Sequence, residues 1–203
     1  MELYGNIVYK VCEENIKKEF NDISEKELEE TVIYAYNDIN FNSNISQQTT
    51  IGGFVGSGSN TSIVAEQIDT QTNTTNYSLY AGSINISGKQ KSDIALYVGG
   101  IIGDFNHRDL LETNEISDAM FGGEIIFNNY SLENTATVFA GGIAGNVAEN
   151  NLVKDCASFG DISICPNTSK HEKIGISGKG NVYAGGIVGQ NQSSYNSTTT
   201  GEI

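Results

Sequence analysis

The sequence predicts an all-β fold of the solenoid type, a parallel β-solenoid preceded by a short helical cap. Three observations carry that reading. The 203 residues contain Ile 24 and Val 11 against Leu 8, and β-branched side chains favour strands. Asn 23, Ser 19 and Thr 15 suit a chain of many turns and polar strand faces. A double-glycine hexamer returns four times at near-constant spacing, which marks a repeat architecture.

The hexamer is apolar or small, Gly, Gly, apolar, apolar or Ala, Gly. Its copies are Ile51-Gly52-Gly53-Phe54-Val55-Gly56, Val98-Gly99-Gly100-Ile101-Ile102-Gly103, Ala140-Gly141-Gly142-Ile143-Ala144-Gly145 and Ala184-Gly185-Gly186-Ile187-Val188-Gly189. The doublets start at 52, 99, 141 and 185, so the steps are 47, 42 and 44 residues. These twelve glycines are expected to be structural. Each doublet is expected to bend the chain with positive φ and to let successive coils approach closely. The polar residue after each hexamer (Ser57, Asp104, Asn146, Gln190) is expected at a turn.

A second signature runs out of phase with the first. It opens an alternating strand at Asn37-Asp38-Ile39, Gly82-Ser83-Ile84, Gly123-Glu124-Ile125, Gly160-Asp161-Ile162 and, at the end of the chain, Gly201-Glu202-Ile203. Two strand-rich segments per unit predict about two coils per repeat, four double-coil repeats in all. Alternate residues then point inward, with Ile162 and Ile164 over Ile125 and Phe127, and with Asp161 and Ser163 in solvent. The variable polar runs between signatures read as loops, which solenoids tolerate because each coil bonds only its neighbours.

The amino-terminal stretch differs. Between Glu13 and Glu30, 11 of 18 residues are charged, while Ile16, Phe20 and Ile23 recur at helical spacing. Ser24-Glu25-Lys26-Glu27 has the form of a capping box, opening a helix that buries Leu28, Val32 and Tyr36. The domain reading is therefore 1–36 as an amino-terminal segment with a helical cap over the open strand edges, and 37–203 as the repeat array.

The hexamers, best preserved in Tyr183-Ala184-Gly185-Gly186-Ile187-Val188-Gly189 and Val138-Phe139-Ala140-Gly141-Gly142-Ile143-Ala144-Gly145, resemble the GLUG motif. That repeat family occurs in bacterial surface proteins and in the IgA-specific metallopeptidases, outside their catalytic domain. The resemblance covers roughly residues 37–203, and Ile51–Gly56 lacks the usual aromatic–Ala lead-in. It implies a right-handed parallel β-helix in an extracellular or cell-surface protein, used as a stalk or interaction surface, with no catalytic residue. Two features depart from the family pattern: Met1–Asn6 opens no export signal, and the array stops in mid-strand at Ile203, as expected of a fragment.

Charge and chemistry narrow the function. A net charge of −14 argues against nucleic acid and anionic membranes, and no apolar run is long enough to cross a bilayer. Three cysteines (Cys12, Cys156, Cys165) without a C-x-x-C pair suit neither a disulfide scaffold nor a zinc site. His107 and His171 form no His-Glu-x-x-His, so no cofactor or catalytic metal is expected. The richest carboxylate cluster is Asp104, Asp109, Glu112, Glu115 and Asp118, with Arg108, the only Arg in the chain, among them. Its chemistry fits a ligand or calcium loop or, if the carboxylates act in pairs, a polysaccharide-processing groove. The function expected is a non-catalytic structural or adhesive module whose polar loops meet a host or cell-surface protein or a glycan. End-to-end self-association through open strand edges is also expected. The alternatives are a carbohydrate-active β-helix enzyme and an accessory segment of a larger extracellular peptidase.

Overall fold

The computed structural model describes residues 32–35, 37–58, 62–64, 67–69, 74–75, 77–106, 114–164 and 175–192. These form an all-β structure of 22 strands, with no helix among the described residues. The first group of strands is β1 (Val32–Ala35), β2 (Ile39–Ile45), β3 (Thr49–Gly52), β4 (Val55–Gly58) and β5 (Ile63–Val64). A small antiparallel pair, β6 (Gln67–Asp69) and β7 (Thr74–Thr75), follows. The second group is β8 (Tyr77–Tyr80), β9 (Ser83–Gln90), β10 (Ala95–Gly99), β11 (Ile102–Phe105) and β12 (Asn114–Ser117). The third is β13 (Ala119–Phe121), β14 (Glu124–Leu132), β15 (Thr137–Gly141), β16 (Ala144–Val147) and β17 (Asn151–Lys154). The last is β18 (Ala157–Ser158), β19 (Asp161–Ser163), β20 (Ile176–Gly178), β21 (Asn181–Gly185) and β22 (Val188–Asn191).

Apart from the small hairpin, the strands pair in parallel, and each pairs with its counterpart in the next group. Five sheets result: β1-β8-β13-β18, β2-β9-β14-β19 with β20 on the second half of β14, β3-β10-β15-β21, β4-β11-β16-β22 and β5-β12-β17. The chain visits them in the same order each time. In each of the first three groups one repeat therefore gives one strand to each of the five sheets, not the two stacked sets of strands expected from sequence. The two signatures lie in different sheets and never pair with each other.

Register follows the hexamers. Gly52, Gly99, Gly141 and Gly185 are consecutive Cα partners, as are Ile51, Val98, Ala140 and Ala184. In the second sheet Ile39, Ile84, Ile125 and Ile162 align in the same way. Asp161 and Ser163 are exposed on either side of a half-buried Ile162. One hydrophobic core receives side chains from all five sheets, including Phe121, Ile84, Leu96, Ile102 and Ile116, each essentially inaccessible to solvent.

The glycine doublets work by close approach alone. Among the described residues positive φ at glycine occurs at Gly88, Gly175 and Gly178, and at none of the hexamer glycines. A Cβ on Gly52, Gly99, Gly141 or Gly185 would strike the carbonyl oxygen of Val55, Ile102, Ala144 or Val188, three residues on. A Cβ on Gly103 would lie 2.6 Å from the Ile51 nitrogen, and one on Gly145 2.5 Å from that of Val98. The hexamer thus folds back tightly and presses the third and fourth sheets together at backbone distance. The expectation of positive φ is corrected accordingly.

The cap reading meets the structure at one place. Val32–Ala35 is a strand paired with Tyr77–Tyr80, so a helix burying Val32 is ruled out there. Val, Ile and Tyr are residue types that favour strands. The rest of that reading, residues 13–31 and Tyr36, lies outside the described residues.

Candidate functional site

The second sheet carries a groove on its outer side. On β2, Ile39 and Phe41 turn toward the core while Asn40 and Asn42 are exposed, the alternation a half-buried strand requires. The register sets Asn40 beside Asn85 and Asn42 beside Ser87. On β14 the alternation breaks. Phe127 pairs with Ile86 but Tyr130 with Gly88, so Asn128 and Asn129 share the space opposite Ser87. This is a β-bulge, with Asn129 in the left-handed region at φ 53°. Both Phe127 and Tyr130 stay buried, and Asn128 is turned out to the surface beside Ser87.

The result is a groove of about 340 Å³ lined by Asn40, Phe41, Asn42, Asn85, Ile86, Ser87 and Asn128. Four primary amides and one hydroxyl supply paired donors and acceptors, while the side chains of Phe41 and Ile86 belong to the core side of the same strands. Among the described residues no ionisable side chain lines it. Such a lining matches a neutral ligand rich in hydroxyl or amide groups. Sequence reading missed it, although the run Asn40-Phe41-Asn42-Ser43-Asn44 and the Asn128-Asn129 pair between two inward aromatics were visible signals.

The carboxylates singled out from sequence do not share one loop among the described residues. Asp104 lies in β11, only 3% exposed, and accepts a hydrogen bond from Asn146 Nδ2 at 2.8 Å. It stands in one column with Ser57, Asn146 and Gln190, successive Cα partners in the fourth sheet. None of the four has positive φ, so the residue after each hexamer is a strand residue and not a turn. Glu115 lies in β12 and is ion-paired with Lys154 at 3.0 Å. Asp118 and Asp155 mark the neighbouring corner, at φ 53° and 50°. Burial first, then Asp155 and Glu115, hold the Asp118 carboxyl above its ordinary pKa, against a lowering hydrogen bond from Ser117 and the pull of Lys154. Asp109, Glu112, Arg108, His107 and His171 lie outside the described residues.

Two further polar rows are built into the interior. Asn114 donates to Asn151 at 3.4 Å, and Asn151 Nδ2 donates to the Phe105 carbonyl at 2.9 Å. Cys156 Sγ sits 3.1 Å from the Lys154 carbonyl, and burial pushes its thiol up to about 12. A thiol so protonated is a poor nucleophile.

Outside the third sheet, Tyr97, Phe139 and Tyr183 align in register and stack, with centroids 5.2 and 5.1 Å apart and planes within 15°. Stacking consumes the ring faces between rungs. The row therefore shows edges to solvent, except at Tyr183, which is 51% exposed. A sugar ring packs on an aromatic face, so this row is a structural ladder and the amide groove is the better ligand site.

Comparison of the chain with protein-family models, with curated proteins and with solved structures finds no match.

Proposed function

We propose that the chain is a right-handed parallel β-helix of GLUG type with one coil per repeat. On this reading it is a non-catalytic structural or adhesive module of a bacterial cell-surface or secreted protein, and its amide-lined groove takes a neutral glycan. The observation that carries the reading is the groove itself, with four asparagines, one serine and, among the described residues, no charge. Hydroxyl groups of a neutral saccharide can both donate to and accept from such amides, whereas an ionic ligand would find no counter-charge there. The in-register columns support the scaffold half of the proposal, because they repeat the same contacts at every rung. Asp104 and Glu115 are committed to Asn146 and Lys154, which weighs for a structural rather than an acid–base role.

The test is a panel of neutral and acidic glycans, followed by calorimetry with Asn85→Ala and Asn128→Ala. Each variant is expected to weaken binding of a neutral glycan about tenfold, the loss of one or two hydrogen bonds, with unfolding unchanged. Failure to bind any neutral glycan, or equal binding by the double variant, would sink the groove assignment. Release of new reducing ends from a bound polysaccharide would overturn the non-catalytic reading.

A further inference from the structure

The column Ser57–Asp104–Asn146–Gln190 is rich in acceptors and short of donors. Asp104 fixes its polarity: a carboxylate only accepts, so Asn146 must turn Nδ2 toward it, as it does at 2.8 Å. Asn146 Oδ1 then has to find its donor elsewhere, and the natural one is the amide of Gln190 on the next rung. That bond is not made. Among the described residues Asn146 Oδ1 and Gln190 Oε1 are both buried without a partner, and the Asn146 residue is only 6% exposed. Gln190 carries one methylene more than asparagine, and its amide makes no bond to Asn146 like that of Asn114 to Asn151. Unsatisfied buried carbonyl oxygens are costly, on the order of 1–3 kcal/mol each, so a native fold supplies something to them.

We propose that Asn146 Oδ1 and Gln190 Oε1 hold a small hard cation, calcium being the type, on the far side of the Asn146 amide from the Asp104 carboxylate. Amide and carboxylate oxygens are the ligands such ions take. A single water donating to both oxygens would satisfy the amides equally well. It would leave the buried Asp104 carboxylate without positive charge, and among the described residues no basic side chain pairs with it. A cation answers both needs. Gln190 is half-buried, so the ion reaches the rung from the surface side. The site differs from the acidic loop expected from sequence, since Asp104 alone of that cluster belongs to it.

The experiment uses the full chain, stripped with a chelator and titrated with calcium chloride in physiological salt. Calorimetry and thermal unfolding are read for the parent, Asp104→Asn and Gln190→Leu. Asp104→Asn keeps an acceptor for Asn146, and Gln190→Leu removes one orphan oxygen, so both are expected to fold. The expected result is one calcium per chain, a higher melting temperature in calcium than in chelator, and affinity reduced about tenfold or more in each variant. Calcium crystals should show density about 2.3–2.6 Å from both amide oxygens. No heat and no melting shift would overturn the proposal, leaving the rung to water. Calcium binding of equal strength in both variants would overturn it as well, placing the ion elsewhere on this acidic chain.

Discussion

The phenol of Tyr130 donates to Gln90 Oε1 at 3.0 Å, joining positions 40 residues apart in the sealed interior. Gln90 in turn donates through Nε2 to the carbonyls of Ile94 at 2.6 Å and Thr137 at 2.9 Å. One amide thereby ties the second sheet to the turn before β10 and to β15. Tyr130→Phe keeps the ring packing and orphans Gln90 Oε1. We expect it to cost about 1–3 kcal/mol in urea unfolding, with no change in far-ultraviolet circular dichroism. A variant as stable as the parent would mean that this oxygen finds another donor.

The glycine account makes a sharper distinction. Gly141→Val should be severely destabilising, by more than about 4 kcal/mol or to the point of not folding, because the new Cβ would collide with the Ala144 carbonyl. Gly56→Ala is the control. It is a hexamer glycine too, but there the nearest atoms to a new Cβ are Thr50 oxygens at 3.5 Å, ordinary contact. We expect it to lie within about 1 kcal/mol of the parent, since alanine also narrows the unfolded ensemble. Chemical denaturation of the two side by side checks the claim. Equal losses would mean that motif membership and not local approach decides.

The spacing of the doublets was legible because like must lie over like: Gly99 pairs with Gly141, and Val98 with Ala140, at the step read from sequence. The separation of the two signatures into different sheets was not, since Ile125 and Gly141 lie on successive strands β14 and β15 and nothing local tells a second layer of strands from a second sheet. The residues after the hexamers were misread for a related reason. Asp104 and Asn146 favour turns in isolation, and only the partner on the next rung makes a strand position tolerable. Val32–Ala35 shows the same override, helical periodicity yielding to pairing with β8. The groove required the bulge after Phe127, which keeps Tyr130 inward, where it bonds Gln90 on the adjacent strand.

Alkaline pH gives an independent reading of the core. Tyr80 is buried, donates to the Asn37 carbonyl at 2.6 Å, and has its pKa pushed up to about 12 by burial and, secondarily, by Asp38. Burial raises Tyr130 too. In the unfolded chain both phenols ionise near their ordinary value of 10.0, so between that pH and 12 the folded state holds more protons. The stability these two phenols contribute is therefore fully present below pH 10 and is lost as pH rises toward 12. Tyr80→Phe should flatten part of the loss in urea unfolding followed across that window. An unchanged slope would show that Tyr80 ionises in the fold as freely as in the unfolded chain.

The outer aromatic row predicts an asymmetry between two members of one column. Phe139 is covered on both faces, by Tyr97 at 5.2 Å and Tyr183 at 5.1 Å. Tyr183 is covered on one, and half of it meets solvent. Each stacked pair contributes about 0.5–1.5 kcal/mol beyond the area it buries. Phe139→Ala therefore removes two such contacts and should cost about 2 kcal/mol or more, while Tyr183→Ala removes one and should cost about 1 kcal/mol. The double replacement should cost less than the two added together, because the pair they share can be lost only once. Strict additivity in a double-mutant cycle would show the rings to be neighbours without energetic coupling, and the ladder would then be a consequence of the register rather than a contributor to it.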